Sequence, residues 1–467
     1  MTTSERATRT GPGIPPAVRR SVMPDVIGAV AVGTVIAAAS LWVRGGGVQA
    51  VVAGGPGRLA TLGRLTGLIA ADLLLVQVAL MARIPWVERT FGQDQLARWH
   101  RVVGSASVGL MLAHVALTTG GYVAAGRTPV TVEAWRLAAG YPGVLLAVAG
   151  TAALVMVAVT SVRVVRRHLR YESWHLLHLY AYLGIGLSLP HELWTGADFT
   201  GPLAQAYWWT LYVAVAGAVV VFRLGLPLYR SVRHNLRIHA VVPESPTVTS
   251  VYLSGRRLDR LPVRAGQFFN WRFLGRRGWS RAQPYSLSAA PRPDLLRITV
   301  REVGDGSRAA RGLRPGMRAL VEGPYGRLTA AARSRSRLTM IASGIGITPM
   351  RALLEAEPYR PGEATLIYRA GDVEDLTFRA ELDRLSATRG VRLVYLVGRR
   401  GARGSWLPAP VGAGAADDIR ALRDIAPDIA ASDVFVCGPE PWMDAVVRTL
   451  RRAGVAPEQI HRERFSW

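Results

Sequence analysis

The side chains with the clearest capacity for chemistry in this sequence are four histidines set in apolar stretches. His100 and His114 lie in one stretch, and His178 and His191 lie in another. Because His100 and His114 are 14 residues apart, a helix would place them on one face, roughly 21 Å apart along its axis. Ionisable side chains are costly in apolar surroundings and mark functional sites there. The two pairs are therefore suited to hold two haems by bis-histidine ligation.

The second pair is spaced less regularly than the first. His178 and His191 are 13 residues apart, and an ideal helix would turn His191 well away from the face of His178. Pro190 directly precedes His191, and we expect this proline to unwind the helix locally and restore the shared face. His175 lies one turn before His178 on nearly the same face, so geometry alone leaves both as alternatives for the first ligand of this pair.

Six apolar segments must position these histidines. They run over 26–43, 65–82, 102–119, 141–162, 174–189 and 206–222. Each approaches the roughly 20 helical residues that cross the hydrocarbon core of a bilayer, and 50% of all residues are hydrophobic. Asp72, in the second segment, is a further intramembrane charge that serves either a proton path or a structural role. The sequence predicts an all-α membrane domain of six helices, followed by a soluble half.

Arginine sets the net charge and the expected orientation. The chain has a formal net charge of +25, and all its basic residues other than histidine are arginines. Arginine clusters precede the first apolar segment and recur in 83–101, 163–170 and 223–237, which places these segments in the cytoplasm by the positive-inside rule. We therefore expect a multi-pass protein of the cell (plasma) membrane with both termini cytoplasmic. The basic excess flanks membrane spans and does not indicate nucleic-acid binding.

The six segments and the histidine spacing together resemble the ferric reductase and NADPH oxidase transmembrane domain, which carries histidine pairs in its third and fifth spans. By this resemblance His100 and His178 bind an inner haem b. His114 and His191 bind an outer haem b, and His175 is a neighbour of the ligands. With both axial positions of the iron filled, these haems would pass electrons at their edges and bind no substrate.

From Leu236 onward short β-rich segments replace the long apolar runs. They include 237–242, 247–253, 267–273 and 295–300, and several strands without intervening helices predict a small antiparallel β-barrel. Three motifs follow in this region: Gln283-Pro284-Tyr285-Ser286, Gly304-Asp305-Gly306-Ser307 and Gly323-Pro324-Tyr325-Gly326. A tyrosine edge can contact an isoalloxazine, a serine hydroxyl can bond to it, and amides of a glycine-rich turn can hold a diphosphate.

In this order the motifs resemble the flavin-binding barrel of the ferredoxin-NADP reductase superfamily, which implies bound FAD. The implied FAD-binding residues are Gln283, Pro284, Tyr285, Ser286, Gly304, Gly306 and Ser307. That family usually carries arginine or histidine at the position of Gln283, so the positive charge expected near the flavin phosphates is missing there. Arg281 and Arg308 are alternative sources of that charge.

The remaining residues alternate buried strands with helices. Strands at 338–342, 364–369, 391–397 and 433–436 and helices at 350–356 and 376–385 predict an α/β domain with a parallel sheet. The first strand leads into Ser343-Gly344-Ile345-Gly346-Ile347-Thr348-Pro349, a turn whose amides and helix dipole can hold a pyrophosphate. Cys437-Gly438-Pro439 follows the last strand. Cys437 is the only cysteine, which excludes a disulfide framework and an iron–sulfur cluster held by this chain alone.

These two motifs resemble the nicotinamide half of the same superfamily. The implied residues for NADPH or NADH are Gly344, Gly346, Thr348, Pro349, Gly438 and Pro439. The resemblance places Cys437 beside the nicotinamide as a hydride-transfer contact. Arg369, at the end of the second strand, suits a 2′-phosphate, whereas Asp372 suits a free ribose hydroxyl; NADPH is the preferred donor. The family often closes with an aromatic residue over the flavin, for which Phe465 and Trp467 are the candidates.

The sequence thus predicts four segments: a polar cytoplasmic leader over 1–24, the six-span domain over 25–235, the FAD-binding barrel over 236–332 and the NAD(P)-binding α/β domain over 333–467. The resemblance implies electron transfer from cytoplasmic NAD(P)H through FAD and two haems to an extracytoplasmic acceptor, with a ferric chelate as first choice. Superoxide formation from O2 at a site lined by Arg127 or Arg136 is the second alternative. A cytochrome-type carrier serving a protein partner is the third.

Overall fold

The computed structural model describes residues 22–55, 57–275, 279–399, 401, 404–409 and 415–463. The leader up to residue 21 and the two aromatic candidates Phe465 and Trp467 lie outside the described residues. The described chain forms two compact units. The first comprises Val22–Phe91 and Gln95–Leu224, and the second comprises Gly92–Asp94 and the described part of Gly225–Trp467.

Helices make up the first unit. They are α1 (Met23–Arg44), α2 (Gly47–Val52), α3 (Gly57–Leu80), α4 (Pro85–Phe91), α5 (Gln93–Gly126), α6 (Val130–Gly140), α7 (Val144–Ser161), α8 (Arg163–Arg166), α9 (Tyr171–Thr195) and α10 (Pro202–Ala218). A π-helical turn, Val219–Gly225, leads from α10 into α11 (Leu226–His234).

Five of the described helices are long and apolar enough to cross a membrane. These are α1, α3, α5, α7 and the continuous helical run Pro202–His234. They coincide with five of the six predicted spans. The other predicted span lies within α9, which has 25 residues but is not among the five. Three histidines and Pro190 lower the mean hydropathy of α9, so six apolar spans are not confirmed by this criterion.

Helix α3 is the most buried of the five apolar helices. One side carries Leu75, which lies in a core cluster with Trp42 of α1 and Trp208 of α10. Another side carries Leu74, which lies in a second cluster with Met111 of α5. Because α3 contributes to both clusters, it lies between the helices that carry these groups.

Six strands of the second unit pair antiparallel. They are β1 (Arg237–Ser245), β2 (Val248–Ser254), β3 (Phe268–Phe273), β4 (Gln283–Ser286), β5 (Leu295–Arg301) and β6 (Ala319–Tyr325). The prediction of a closed barrel is not confirmed, because these strands form two three-stranded sheets with the orders β1-β2-β5 and β4-β3-β6. Strand β4 has only 4 residues, so its pairing stops before it can extend along β5. A single bridge, Leu287 with Ile298, lies at that point.

A five-stranded parallel sheet follows, as the alternation of strands and helices predicts. Its strands are β7 (Arg337–Ser343), β8 (Ala364–Ala370), β9 (Arg392–Val397), β10 (Ser432–Cys437) and β11 (Ile460–Arg462), in the order β11-β10-β7-β8-β9. Besides α11, the described helices of this unit are α12 (Asp305–Arg308), α13 (Ile347–Ala356), α14 (Arg379–Arg389), α15 (Ala415–Ile425) and α16 (Glu440–Arg452). Apolar clusters cover both faces of the sheet, as a buried parallel sheet requires.

Candidate functional site

The structure brings the four predicted histidines together as two facing pairs between α5 and α9. The ring centres of His100 and His178 lie 5.9 Å apart, and those of His114 and His191 lie 6.3 Å apart. A metal held between two imidazoles, with bonds of about 2 Å to each nitrogen, separates the ring centres by about 6 Å. Both pairs therefore fit a shared axial metal such as haem iron.

The Nδ1 atoms of three of these histidines point at hydrogen-bonding groups of the protein. His100 Nδ1 lies 3.1 Å from the carbonyl oxygen of Gln77, and His114 Nδ1 lies 2.8 Å from that of Gly63. His178 Nδ1 lies 3.3 Å from the hydroxyl of Ser161. A histidine whose Nδ1 carries the proton presents the lone pair of Nε2 to a metal. Because a carbonyl oxygen can only accept, the contacts of His100 and His114 favour the tautomer that a haem ligand needs.

Helix α9 carries both candidate inner ligands, His175 and His178, and also Pro190 and His191. His178 is the ring that faces His100, while His175 lies one turn earlier on the same helix. Helix α9 continues through Pro190 to Thr195, so the expected unwinding before His191 is wrong. A proline within a helix removes one backbone donor and bends the helix without necessarily ending it, and His191 still meets His114.

Asp72 lies apart from the histidine pairs. It is fully buried, and its carboxylate accepts hydrogen bonds from Tyr207 at 2.9 Å and Thr34 at 3.2 Å. These partners belong to α10 and α1, so the carboxylate joins three helices. These contacts favour a structural role for Asp72 over a role in a proton path.

The flavin motifs converge on β3, because β4 and β6 lie on its two sides. Ser286 of β4 and Tyr325 of β6 both pair with Phe268. The hydroxyl of Ser286 is buried and has no hydrogen-bond partner in the described chain. A buried hydroxyl without a partner is costly unless a ligand satisfies it, which fits the predicted bond from Ser286 to a flavin.

The other predicted flavin residues lie around these strands. Gln283 is nearly buried and its side-chain oxygen accepts a hydrogen bond from Tyr285, while Pro284 stands between them on β4. Ser307, in α12, accepts hydrogen bonds from the amides of Val303 at 2.8 Å and Gly304 at 3.1 Å. The Ser307 hydroxyl thus orders the turn that holds Gly304 and Gly306, and two of its amides are already used.

The two nicotinamide motifs lie side by side at the carboxyl edge of the parallel sheet. Strand β7 pairs with β10, with Ala342 opposite Cys437. The turn after β7 passes so close that a Cβ at Gly346 would lie 2.3 Å from the carbonyl oxygen of Cys437. Only glycine fits there. Thr348 closes the turn by donating to the carbonyl of Ile345 at 3.0 Å, and Pro349 follows it in the first turn of α13.

Cys437 is fully buried at the end of β10. Burial raises the pKa of its thiol, and the negative charge of Glu463 raises it further, so the thiol stays protonated at neutral pH. Gly438 follows it, where a Cβ would lie 2.8 Å from the ring of Trp442, and Pro439 precedes the first turn of α16. Sequence reasoning had given no role to Glu463, because only the fold brings it near Cys437.

Arginines and carboxylates surround the glycine-rich turn. Arg369 is the second-to-last residue of β8 and donates to the carbonyl of Gly398 at 3.3 Å. Arg301, at the end of β5, lies 3.3 Å from the position of a Cβ on Gly344 and forms an ion pair with Asp375 at 3.1 Å. A guanidinium beside such a turn suits a phosphate, and sequence reasoning had missed Arg301 because β5 lies far from the turn in sequence.

A buried ionic network joins the antiparallel sheets to the α/β domain. Arg297 of β5 donates to both oxygens of Glu381 in α14, at 2.8 and 3.1 Å. Arg351 of α13 donates to the same carboxylate at 2.7 Å. Burial alone would raise the pKa of Glu381, but the hydrogen bonds and charges of Arg297 and Arg351 lower it. This network holds the antiparallel sheets with the flavin motifs against the α/β domain with the nicotinamide motifs.

Both the helical unit and the α/β domain contain residues that match known protein families. Residues 66–189 match the family described as ferric reductase like transmembrane component, and residues 340–448 match the oxidoreductase NAD-binding domain. The ferredoxin reductase component of 3-ketosteroid-9-alpha-monooxygenase from Mycolicibacterium smegmatis is 34% identical over 241 residues, covering 50% of this chain and 65% of that protein. Ferredoxin--NADP reductase B from Sorangium cellulosum is 33% identical, covering 49% of this chain and 96% of that protein.

The chain thus spans slightly less than two thirds of the length of the first of these relatives. Among solved structures, the flavohaem-like FAD/NAD binding domain of nitric oxide dioxygenase from Vibrio cholerae aligns with 50% of this chain and 98% of its own, at 22% identity and a TM-score of 0.38.

Proposed function

Because the chain belongs over its second half to the ferredoxin–NADP reductase family and joins that module to a ferric reductase like transmembrane component, we propose that it is a transmembrane oxidoreductase. It carries electrons from cytoplasmic NAD(P)H through FAD and two b-type haems to an extracytoplasmic acceptor. The supporting observation is the pairing of His100 with His178 and of His114 with His191 at 5.9 and 6.3 Å. The predicted segments 25–235, 236–332 and 333–467 supply the haem, FAD and NAD(P) sites.

The cofactors supply the redox chemistry: FAD takes a hydride and gives up single electrons, and bis-histidine haems relay single electrons. The protein supplies position and surroundings. Ser286 would offer a hydroxyl to the flavin, and the turn at Gly344 and Gly346, with Arg301 beside it, would hold the dinucleotide. Cys437 adds a neutral, buried thiol at the nicotinamide edge of the sheet.

We propose a ferric chelate as the acceptor. Electron transfer to a small chelate needs only an exposed haem edge, whereas superoxide formation needs a site for O2. Arg136, one of the two arginines considered for such a site, pairs with the fully buried carboxylate of Glu133 at 2.9 Å. This arginine is 62% exposed and stays accessible, so the preference for a ferric chelate rests on the smaller structural requirement of that acceptor.

Competition between acceptors tests this choice. The purified full chain is given FAD and NADPH without oxygen until the haem absorbance shows full reduction, and ferric citrate or O2 is then added in rapid mixing. We expect fast reoxidation by ferric citrate and slow reoxidation by O2. Fast reoxidation by O2 with release of superoxide would instead identify an oxidase. Slow reoxidation by both would favour a carrier that serves a protein partner.

A further inference from the structure

The histidines of α5 are held by the backbone of one neighbouring helix, α3. The carbonyl oxygens of Gly63 and Gln77 lie 2.8 Å from His114 Nδ1 and 3.1 Å from His100 Nδ1. Gly63 and Gln77 are 14 residues apart, as are His100 and His114. The earlier histidine, His100, contacts the later carbonyl, and His114 contacts the earlier one. The two helices therefore run antiparallel in matched register, and α3 presents one carbonyl to each histidine of α5.

Glycine makes this approach possible at the outer histidine. A Cβ at Gly67 would lie 2.6 Å from His114 Nδ1 and 3.0 Å from its Cγ and Cε1. A Cβ at Gly63 would lie 2.5 Å from the hydroxyl of Thr118 and 2.9 Å from its backbone nitrogen. The Gly63 and Gly67 pair has the small-xxx-small spacing that lets membrane helices come close. Any larger residue at 67 would displace the His114 ring.

The histidines of α9 have weaker support. His178 Nδ1 lies 3.3 Å from the hydroxyl of Ser161. His191 Nδ1 is buried and has no hydrogen-bond partner among the described residues. In each pair, the α5 histidine therefore has the stronger contact. Since a hydrogen bond at Nδ1 orients a ligating imidazole and raises its basicity, α5 carries the ligands whose properties the protein controls most closely.

We propose that α3 is the positioning helix for the haem ligands of α5, and that Gly67 is the residue that admits His114 to its carbonyl partner. This inference rests on the proposed function, because it concerns the haems of that function. It assigns Gly67 a positioning role, since the residue acts only through His114. The carbonyl of Gly63 accepts the hydrogen bond from His114 Nδ1. Because Gly67 has no side chain, the His114 ring has room to reach that carbonyl.

The test compares two single-methyl additions in the full chain. Gly67→Ala places a methyl group against the His114 ring. Gly109→Ala adds the same group in the middle of α5, where a Cβ meets nothing within 4 Å. Haem per chain, the low-spin electron paramagnetic resonance spectrum and the two midpoint potentials are measured for each variant. The FAD content of each shows that the reductase module is intact.

We expect Gly67→Ala to lose about half of the haem, or to keep it with a changed outer-haem spectrum and potential, because the ligand is displaced from its partner. The inner haem, the FAD content and all properties of Gly109→Ala should match the unsubstituted chain. A Gly67→Ala protein with full haem, an unchanged spectrum and unchanged potentials would overturn the inference. A lack of haem in the unsubstituted chain would reject the proposed function itself.

A measurement on the unsubstituted protein covers the case in which Gly67→Ala loses both haems and FAD together. Proton electron–nuclear double resonance of the oxidised haems, in H2O and in D2O, resolves the Nδ1 protons of the ligands. We expect the α5 ligands to show the stronger hydrogen bonds in each pair. Equivalent Nδ1 protons on all ligands would contradict the positioning role of α3.

Discussion

Single side chains define the proposed electron path, and small differences in position separate a ligand from its neighbour. His178 faces His100 with ring centres 5.9 Å apart, and its Nδ1 contacts Ser161. His175 lies one turn away on the same helix, so the two residues are close in sequence and similar in chemistry. The pair therefore offers a matched substitution.

His178→Ala should lose the inner haem, while His175→Ala should keep both haems. The reason is that His178 faces His100 with ring centres 5.9 Å apart, as two ligands of one metal would. Haem per chain is measured by the pyridine haemochrome method, and we expect a fall of about half for His178→Ala alone, since one of two bis-histidine sites is lost. Loss of haem from His175→Ala with retention in His178→Ala would exchange the two roles.

Ser286→Ala should weaken FAD binding without destabilising the protein. The Ser286 hydroxyl has no hydrogen-bond partner in the described chain, so its removal costs no internal bond. Loss of one hydrogen bond to flavin, worth about 1 kcal/mol, weakens FAD binding about fivefold. The dissociation constant is measured by flavin fluorescence.

Ser250→Ala is the control for this change. Its hydroxyl shares a hydrogen bond with Thr299 at 2.8 Å, so we expect a loss of about 1 kcal/mol of stability with FAD affinity unchanged. Equal FAD affinity in Ser286→Ala and the unsubstituted chain would remove Ser286 from the flavin site.

At this scale the sequence predicted residues that belong to motifs and missed those that act through distant contacts. The histidines, Ser286 and the turn around Gly346 were singled out by residue type, spacing and family resemblance. Gly67 and Glu381 gave no signal, because a glycine in an apolar helix and a glutamate in a polar one are common. Their contacts join elements that are far apart in the chain.

At the scale of elements, the network around Glu381 joins β5 to α13 and α14 and so fixes the flavin sheets against the nicotinamide sheet. Arg297 is 5% exposed and Glu381 is 29% exposed at their side chains. Breaking a largely buried ion pair leaves an uncompensated charge, which costs more than an exposed pair contributes. The network is therefore a site where one substitution should loosen the whole module.

Glu381→Gln should destabilise the reductase module at neutral pH and lose its effect in acid. The pKa of Glu381 is lowered in the folded state, so its contribution is fully present above the ordinary value near 4.3 and is lost as pH falls through the lower folded value. We expect a cost of about 3 kcal/mol at pH 7. The temperature of flavin release from the full chain, measured from pH 7 downward, reports the difference.

Asp294→Asn is the matched control, because Asp294 forms an exposed pair with Arg292. It should change little at any pH. A pH-independent difference between Glu381→Gln and the unsubstituted chain would show that the carboxylate charge is not the source of the effect.

Helices and strands could be predicted from the sequence where the local pattern of apolar and polar residues determines them. Five apolar helices and the parallel strands follow from hydropathy and alternation. Helix α9 has lower hydropathy because it carries three histidines, so the proposed haem ligands also weaken its membrane signal. The antiparallel strands were expected, but their division into two sheets depends on where pairing stops, as at the end of β4, and strand pairing is a long-range property.

At the scale of the whole molecule, the proposal requires that electrons enter and leave on opposite sides of a membrane. By the positive-inside rule, the arginine clusters predict a cytoplasmic reductase module. His100 and His114 lie 14 residues apart along α5, a distance of roughly 21 Å, so haems at the two histidine pairs would span much of the hydrocarbon core. Sidedness is therefore the property that separates this function from that of a soluble flavin reductase.

The most direct test places donor and acceptor in separate compartments. The full chain is reconstituted into lipid vesicles that enclose a membrane-impermeant ferric chelate, and NADPH and FAD are added outside. We predict reduction of the enclosed chelate by the unsubstituted chain and its loss in His114→Ala, with NADPH oxidation by an external dye retained in both. No reduction of the enclosed chelate by the unsubstituted chain, or enclosed chelate reduced equally well by His114→Ala, would contradict electron transfer through the paired histidines.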